Sequence, residues 1–259
     1  MADILHTILE NKREEIRLLK EKFTVGHFEQ QEHFKRECIS MKNSIRSNEF
    51  GIIAEIKRKS PSAGDIQTNV DVAEYGKNYE AGGASAISCL TDNKFFGGSI
   101  EDLKKLRTST SLPILRKDFI IDYIQVFEAK AAGADAILLI AEALPKKEIN
   151  NLIQLAHDMD MEVLLEAHAL EEIEKTYGQA DMIGINNRNL KTQTTNIQQS
   201  LDLIKFLPQN KLKITESGIR TAEELRTLSE AGFGGALIGE SILKNSAPKD
   251  FIKSLIPHA

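Results

Sequence analysis

From Gly51 onward the chain repeats one pattern, a short apolar run followed by an amphipathic stretch. The runs begin near Ile52, Ala84, Pro113, Ala136, Glu162, Met182, Leu212 and Gly235. Several are apolar throughout, as in Ala136-Ile137-Leu138-Leu139-Ile140. A strand with no polar face must be covered on both sides, which suits a parallel sheet flanked by helices. Three approaches to these runs are alike: Glu80-Ala81-Gly82-Gly83-Ala84, Ala131-Ala132-Gly133-Ala134-Asp135 and Glu230-Ala231-Gly232-Phe233-Gly234, with Tyr177-Gly178-Gln179-Ala180-Asp181 a looser fourth. In each, a helix ends at glycine, where a left-handed cap costs least, and the chain turns into the next strand. Repeated βα units in 259 residues favour closure into a TIM (β/α)8 barrel, a fold of roughly 250 residues. An open doubly wound sheet is the competing arrangement, but no glycine-rich dinucleotide loop follows the first strand.

The first fifty residues are different in kind. Ile4, Ile8, Leu9, Ile16 and Leu19 recur at helical spacing among Glu, Lys and Arg, and a second helix is expected from about Phe28 to Met41. The expected organisation is a single domain, with residues 1–48 a helical extension and residues 49–259 the barrel. The extension is expected to pack on its own barrel, with an oligomer contact as the alternative.

Composition narrows the function. A net charge of -5 gives no electrostatic footprint for nucleic acid or an anionic membrane. No apolar run approaches the roughly 18 residues that a membrane-spanning helix needs. Two cysteines, Cys38 and Cys89, and no apolar leader point to a reducing cytoplasm, with Cys89 a buried thiol rather than a nucleophile. The histidines His6, His27, His33, His157, His168 and His258 show no paired ligand spacing, so neither a metal nor a cofactor is expected.

Reactive side chains gather where the apolar runs end. Ile52-Ile53-Ala54 leads to Glu55, Lys57 and Ser60; Leu112 to Leu115 lead to Lys117; Val163 to Leu165 lead to Glu166; Ile183 to Ile185 lead to Asn186 and Arg188; and Leu212 to Thr215 lead to Glu216 and Ser217. In a barrel these are the C-terminal ends of the strands, where active sites are built. The last two loops, Glu216-Ser217-Gly218-Ile219 and Gly239-Glu240-Ser241, precede expected helix starts, the usual place for a phosphate held by backbone N–H groups. A lysine among carboxylates keeps its proton and serves as a general acid, whereas one in an apolar pocket can form a Schiff base. The carboxylates of Glu55, Asp118, Glu166 and Glu216 favour the first for Lys117.

These segments, in this order, resemble the indole-3-glycerol-phosphate synthase family of tryptophan biosynthesis. The resemblance rests on Glu55-Ile56-Lys57-Arg58-Lys59-Ser60-Pro61-Ser62, Leu90-Thr91-Asp92 with Phe95-Phe96, Leu115-Arg116-Lys117-Asp118-Phe119, Leu165-Glu166, Ile185-Asn186-Asn187-Arg188-Asn189-Leu190 and Glu216-Ser217-Gly218-Ile219. It implies a carboxy-lyase that converts 1-(2-carboxyphenylamino)-1-deoxyribulose 5-phosphate to indole-3-glycerol phosphate, with loss of carbon dioxide and water. The implied catalytic set is Glu55, Lys57, Lys117, Glu166, Asn186 and Ser217. Lys117 is the donor to the ketose oxygen, Lys57 and Arg188 position the carboxylate, and Glu166 with Lys57 and Glu55 serves the dehydration. Phosphate falls to Ser60, Ser217, Gly218, Gly239 and Glu240, sugar hydroxyls or the carboxylate to Asn186 and Glu216, and the aryl ring to Phe96, Phe119, Leu138 and Leu165. The family commonly carries Asp where this chain has Asn189, which removes a carboxylate beside Arg188. A monomer is expected, with at most weak association with other pathway enzymes.

Two other readings compete. Another phosphosugar barrel enzyme, an isomerase or Schiff-base aldolase, would share the phosphate loops. A non-catalytic barrel would use its N-terminal helices to recruit a partner.

Overall fold

Eight parallel strands close on themselves: β1 (Gly51–Ile56), β2 (Ala86–Leu90), β3 (Ile114–Lys117), β4 (Ala136–Ile140), β5 (Glu162–Ala167), β6 (Met182–Asn186), β7 (Leu212–Glu216) and β8 (Gly235–Ile238). Each pairs with the next and β8 returns to β1, as the apolar runs predict. The computed structural model describes residues 4–176, 178–189 and 194–256, so Tyr177, Leu190 and His258 lie outside the described residues. The largest error in a strand start is at β2, expected near Ala84 and found at Ala86. A short hairpin of Lys59–Ser60 with Gly64–Asp65 follows β1.

Strand alternation sorts the apolar residues into two layers. Ile53, Ala86, Leu115, Ala136, Leu138, Leu164, Met182 and Ile214 fill the barrel. Ile52, Ile87, Ile114, Ile137, Leu139, Val163, Leu165 and Ile183 pack under the helices. Because both faces are buried, the runs read as unbroken apolar sequence. Gly83, Gly133 and Gly232 sit at φ of 88°, 93° and 105°, which explains the glycine in each repeated approach. The two aspartates of the pattern act alike, since Asp135 accepts from the N–H of Ile114 and Asp181 from that of Val163. Each carboxylate thus occupies an otherwise unpaired donor at the start of the preceding strand.

The N-terminal extension departs from expectation in its second part. Helix α1 (Ile4–Lys22) is present, but the helix expected over Phe28 to Met41 is broken. Helix α2 (Val25–Glu29) is followed by a 3-10 turn at Glu32–Lys35 and an extended segment, and α3 (Met41–Arg46) begins where the expected helix would end. Barrel carboxylates explain the break. Asp135 accepts from the Arg36 guanidinium at 2.6 Å and the Ile39 N–H at 2.8 Å, and Glu162 takes the Ser40 hydroxyl at 2.6 Å and the Lys42 N–H at 2.7 Å. Those bonds fix residues 36–40 as a strap across the N-terminal end of the barrel. Met41 and Ile45, each 0% exposed, then plug the interior cluster from below.

Ile45→Ala should lower the unfolding free energy by about 2–5 kcal/mol, the usual cost of emptying a filled core site, as measured by urea denaturation. A loss below about 1 kcal/mol would mean that α3 does not complete the core.

Candidate active site

At the opposite end of the barrel, sheet register brings the acids and cations of separate strands together. Asn186 at the end of β6 stands beside Glu216 at the end of β7, and Glu166 on β5 stands beside Gly184 on β6. That glycine has a steric reason, since a Cβ there would overlap Glu216 Oε1. Lys117 Nζ donates to Glu166 Oε2 at 2.9 Å and lies 3.5 Å from Glu216 Oε2. Asn186 Nδ2 donates to the other Glu166 oxygen at 3.1 Å. Glu55 and Lys57 form a second ion pair, at the end of β1.

Burial makes the charges in this group interdependent. Desolvation pulls the Lys117 pKa down, but Glu166, Glu216 and Glu55 outweigh it and hold the amine as ammonium well above the usual lysine range. Glu166 is likewise opposed by burial, yet Lys117 pulls it down to about 2. Glu216 goes the other way: burial, the Glu166 charge and a carboxyl–carboxylate hydrogen bond to Glu166 push it up to about 8. The cluster therefore holds one fixed ammonium, one carboxylate and one protonated acid near neutral pH.

These groups line a hollow of about 890 Å³, part of it open solvent, with Glu55, Lys57, Ser60, Arg188 and Ser217 on its polar side. Its apolar side is Phe96, Phe119, Leu138, Ile140 and Leu237. The rings of Phe96 and Phe119 lie 6.0 Å apart, centroid to centroid. Leu165, expected in this wall, is not there: with Glu166 pointing inward, its neighbour on the strand must point outward, and Leu165 packs in the helix-covered layer. Sequence reasoning also missed Ile4, Leu5 and Ile8 of α1, which line the hollow. Their spacing announced an apolar face but not what it covers.

A second hollow adjoins the first, sharing Glu55, Lys57, Arg188 and Ser217, and adds Gly218, Gly239, Glu240, Ser241 and Lys244. Ser217 and Gly218 have consecutive positive φ of 69° and 81°. Among the described residues, none accepts from the N–H of Gly218 or Ile219. Gly239 is required by crowding, because a Cβ there would overlap Glu55 Oε1. Ser60 lines the first hollow rather than the second, and its hydroxyl accepts from the Ala63 N–H. The missing carboxylate at Asn189 is offset from another loop: Arg188 donates to the Ser62 hydroxyl at 2.7 Å and lies 3.9 Å from Glu240. Glu240 itself turns to Lys244, at 2.6 Å, and that bond outweighs partial burial to leave its pKa below the usual carboxylate value.

The fold also brings together residues that spacing kept apart. Glu142, His168 and Glu172 place potential ligand atoms within 4.8 Å of one another. Glu172 already accepts from the His168 N–H, and His168 Nε2 lies 3.5 Å from Glu166, so the group reads as part of the acidic rim.

Residues 5–255 match the family model described as Indole-3-glycerol phosphate synthase. The chain belongs to the indole-3-glycerol phosphate synthase family. A synthase of that name from Bacteroides thetaiotaomicron is 44% identical over 256 residues, covering 99% of this chain and 98% of the relative. One from Carboxydothermus hydrogenoformans is 42% identical, covering 97% of this chain and 99% of its own. Among solved structures, a tryptophan synthase alpha-subunit mutant from Pyrococcus furiosus aligns with a TM-score of 0.59 at 14% identity, over 80% of this chain and 98% of that one. Thiamine phosphate pyrophosphorylase from Pyrococcus furiosus aligns at 0.61 and 17% identity, over 82% and 95%. At such identities these two establish only the shared barrel.

Glu216 gives the site a pH signature. Unfolded, it releases its proton in the ordinary carboxylate range; folded, it keeps the proton to about 8. Between those limits the folded state binds more protons, so the group's contribution to stability falls as pH rises. Glu216→Gln removes this dependence. In urea titrations the stability of wild type relative to Glu216→Gln should decline from about pH 5 to about pH 8, and a flat difference would contradict the assignment.

Proposed function

We propose a division of labour among these residues for the family reaction, in which 1-(2-carboxyphenylamino)-1-deoxyribulose 5-phosphate closes to indole-3-glycerol phosphate. The substrate's phosphate takes the hollow of Gly218, Gly239 and the Ser217 turn, where backbone donors and Lys57 face it. Its aryl ring lies against Phe96, Phe119 and Leu138. Lys57 and Arg188 meet the carboxylate between the two, and Asn186 holds a chain hydroxyl.

In that pose the ring carbon bearing the carboxylate attacks the ketose carbonyl, and the Lys117 ammonium protonates the oxygen on which charge develops. Carbon dioxide then leaves, its bonding electrons returning to the ring, and the tertiary hydroxyl remains. Dehydration requires an acid at that hydroxyl and a base at the adjacent N–CH2 carbon. Lys57, paired with Glu55, supplies the proton, and Glu166 removes the other. Glu166 is a weak base while Lys117 is charged. Once Lys117 has given up its proton, the charge that depresses Glu166 is gone and the carboxylate becomes more basic at the step that needs it.

The contact that carries this reading is Lys117 Nζ at 2.9 Å from Glu166 Oε2, between an aromatic wall and the hollow at the Ser217-Gly218 turn. It also weighs against a Schiff-base aldolase, because the carboxylates keep the amine protonated. The presence of both acids with this lysine argues against a non-catalytic barrel. We read the chain as one domain, residues 1–48 and 49–259 together, since the extension completes both ends of the barrel. Among the described residues the large exposed apolar side chains, Leu18, Ile39, Tyr123 and Phe206, are few and lie on different elements, which supports a monomer. Cys38 and Cys89 are free thiols, and no helix among the described residues is long and apolar enough to cross a membrane; both fit a cytoplasmic enzyme.

Turnover is read from the fluorescence of the indole product, and its absence with the pure substrate would reject the assignment. Lys117→Ala should lower kcat by on the order of a thousandfold, within the range for loss of a general acid, and near wild-type turnover would defeat that role. Glu166→Gln should stall dehydration while leaving ring closure in place. In single-turnover reactions carbon dioxide from carboxyl-labelled substrate would appear before the indole signal, and release in step with the signal would reject the role.

A further inference from the structure

Lys12 is a charged residue on α1 that the reaction does not use, yet it is only 3% exposed. Its Nζ lies 2.8 Å from Asp118 Oδ1, 3.0 Å from Asp92 Oδ2 and 2.6 Å from Glu15 Oε2. Long cations are seldom this buried unless something holds them there. Burial pulls its pKa down, and the two aspartates more than reverse that, raising the lysine above its usual range.

What the two aspartates hold is more telling. Asp92 caps the short helix Asn93–Phe96 by accepting from the Phe95 N–H at 2.8 Å, and that helix carries Phe96. Asp118 accepts from the Phe119 N–H at 2.8 Å and from the Thr91 hydroxyl at 2.6 Å. Phe96 and Phe119 are the aromatic wall of the pocket. Leu5, Ile8 and Lys12 fall on one helical face, three and four residues apart, and Leu5 and Ile8 line the same pocket. One ammonium therefore joins three of the pieces of chain that line the apolar half of the site, α1 and the two segments that carry Phe96 and Phe119.

We infer that Lys12 is a positioning residue of the reaction: by tying α1 to Asp92 and Asp118, it assembles the wall that receives the substrate's aryl ring. This rests on the ring placement given above. Lys12 touches no reacting atom, so its loss should weaken ring binding and spare the acid/base steps. Removing the ammonium also leaves Asp92 and Asp118 without their buried partner, although Arg116 still faces Asp118 at 3.2 Å.

The test compares wild type, Lys12→Met and, against a folding failure, Lys12→Met combined with Asp92→Asn, which restores the local charge balance and keeps a capping side chain on the Asn93–Phe96 helix. KM should rise by about tenfold or more, as expected for losing the burial of an aliphatic side chain or two, with kcat within about threefold. Two probes separate ring from phosphate: the inhibition constant of anthranilate should rise in parallel with KM, and that of inorganic phosphate should stay the same. Unchanged constants for both probes, an equal rise in both, or a collapse of kcat at constant KM would each overturn the inference. Hydrogen exchange reads the tie without any turnover. Amides of α1 should exchange at least about tenfold faster in the variant while those of the barrel strands are unaltered, and unaltered α1 exchange would also overturn it. A wild-type protein that fails to make indole would refute the assigned reaction, and the exchange result alone would then decide whether Lys12 ties α1 to the wall.

Discussion

The ammonium of Lys117 sets the protonation of its neighbours, and its position depends on barrel closure. It comes from β3, Glu166 from β5 and Glu216 from β7, alternate strands whose inward residues share a layer at the mouth. Two carboxylates this close could not both ionise cheaply in a buried place. With Lys117 between them the conflict is resolved unequally: Glu166, hydrogen-bonded to the lysine and to Asn186, takes the charge, and Glu216, buried beside the Glu166 charge, keeps its proton. A donor and an acceptor thus coexist within a few ångströms at neutral pH, as a reaction that first gives and later removes a proton requires.

Around that centre the N-terminal extension does two jobs at once. Its last turn, α3, seals the bottom of the barrel with Met41 and Ile45, and its first turns bring Ile4, Leu5 and Ile8 to the top. Between them, Ile16 and Phe28 pack on Ile124 and Ala131 of the helix Tyr123–Ala132. Carboxylates fasten both ends: buried Asp135 and half-buried Glu162 below, buried Asp92 and Asp118 above. Fixing a long segment by a few charged contacts gives it a defined register, at the cost of burying charges that become unfavourable when any partner is lost.

Much of this was legible in the sequence for a simple reason. A βα unit writes its strand as an apolar run and its turn as glycine, so eight strands and the residues at their ends could be read directly, and the reactive residues came with them. Two kinds of information were missing. Leu165 was misplaced because a run that is apolar throughout hides which residues face inward, until Glu166 fixes the alternation. The broken helix after Glu29 and the pocket-lining role of Ile4, Leu5 and Ile8 depend on contacts with residues about 80 to 135 positions away, such as Asp135 and Phe119. Local periodicity reports that a face is apolar or a segment is helix-forming; it does not report what a distant carboxylate will do to it.

The most direct test of this picture is the ionisation of Lys117 itself. Nitrogen-detected NMR of 15N-labelled lysine side chains, with the signal assigned by its loss in Lys117→Ala, can follow that amine across the pH range. The ammonium resonance should persist beyond the pH at which ordinary exposed lysines titrate. A neutral amine near pH 8 would contradict the account, because an unprotonated Lys117 could neither hold Glu166 ionised nor deliver a proton to the substrate's carbonyl oxygen.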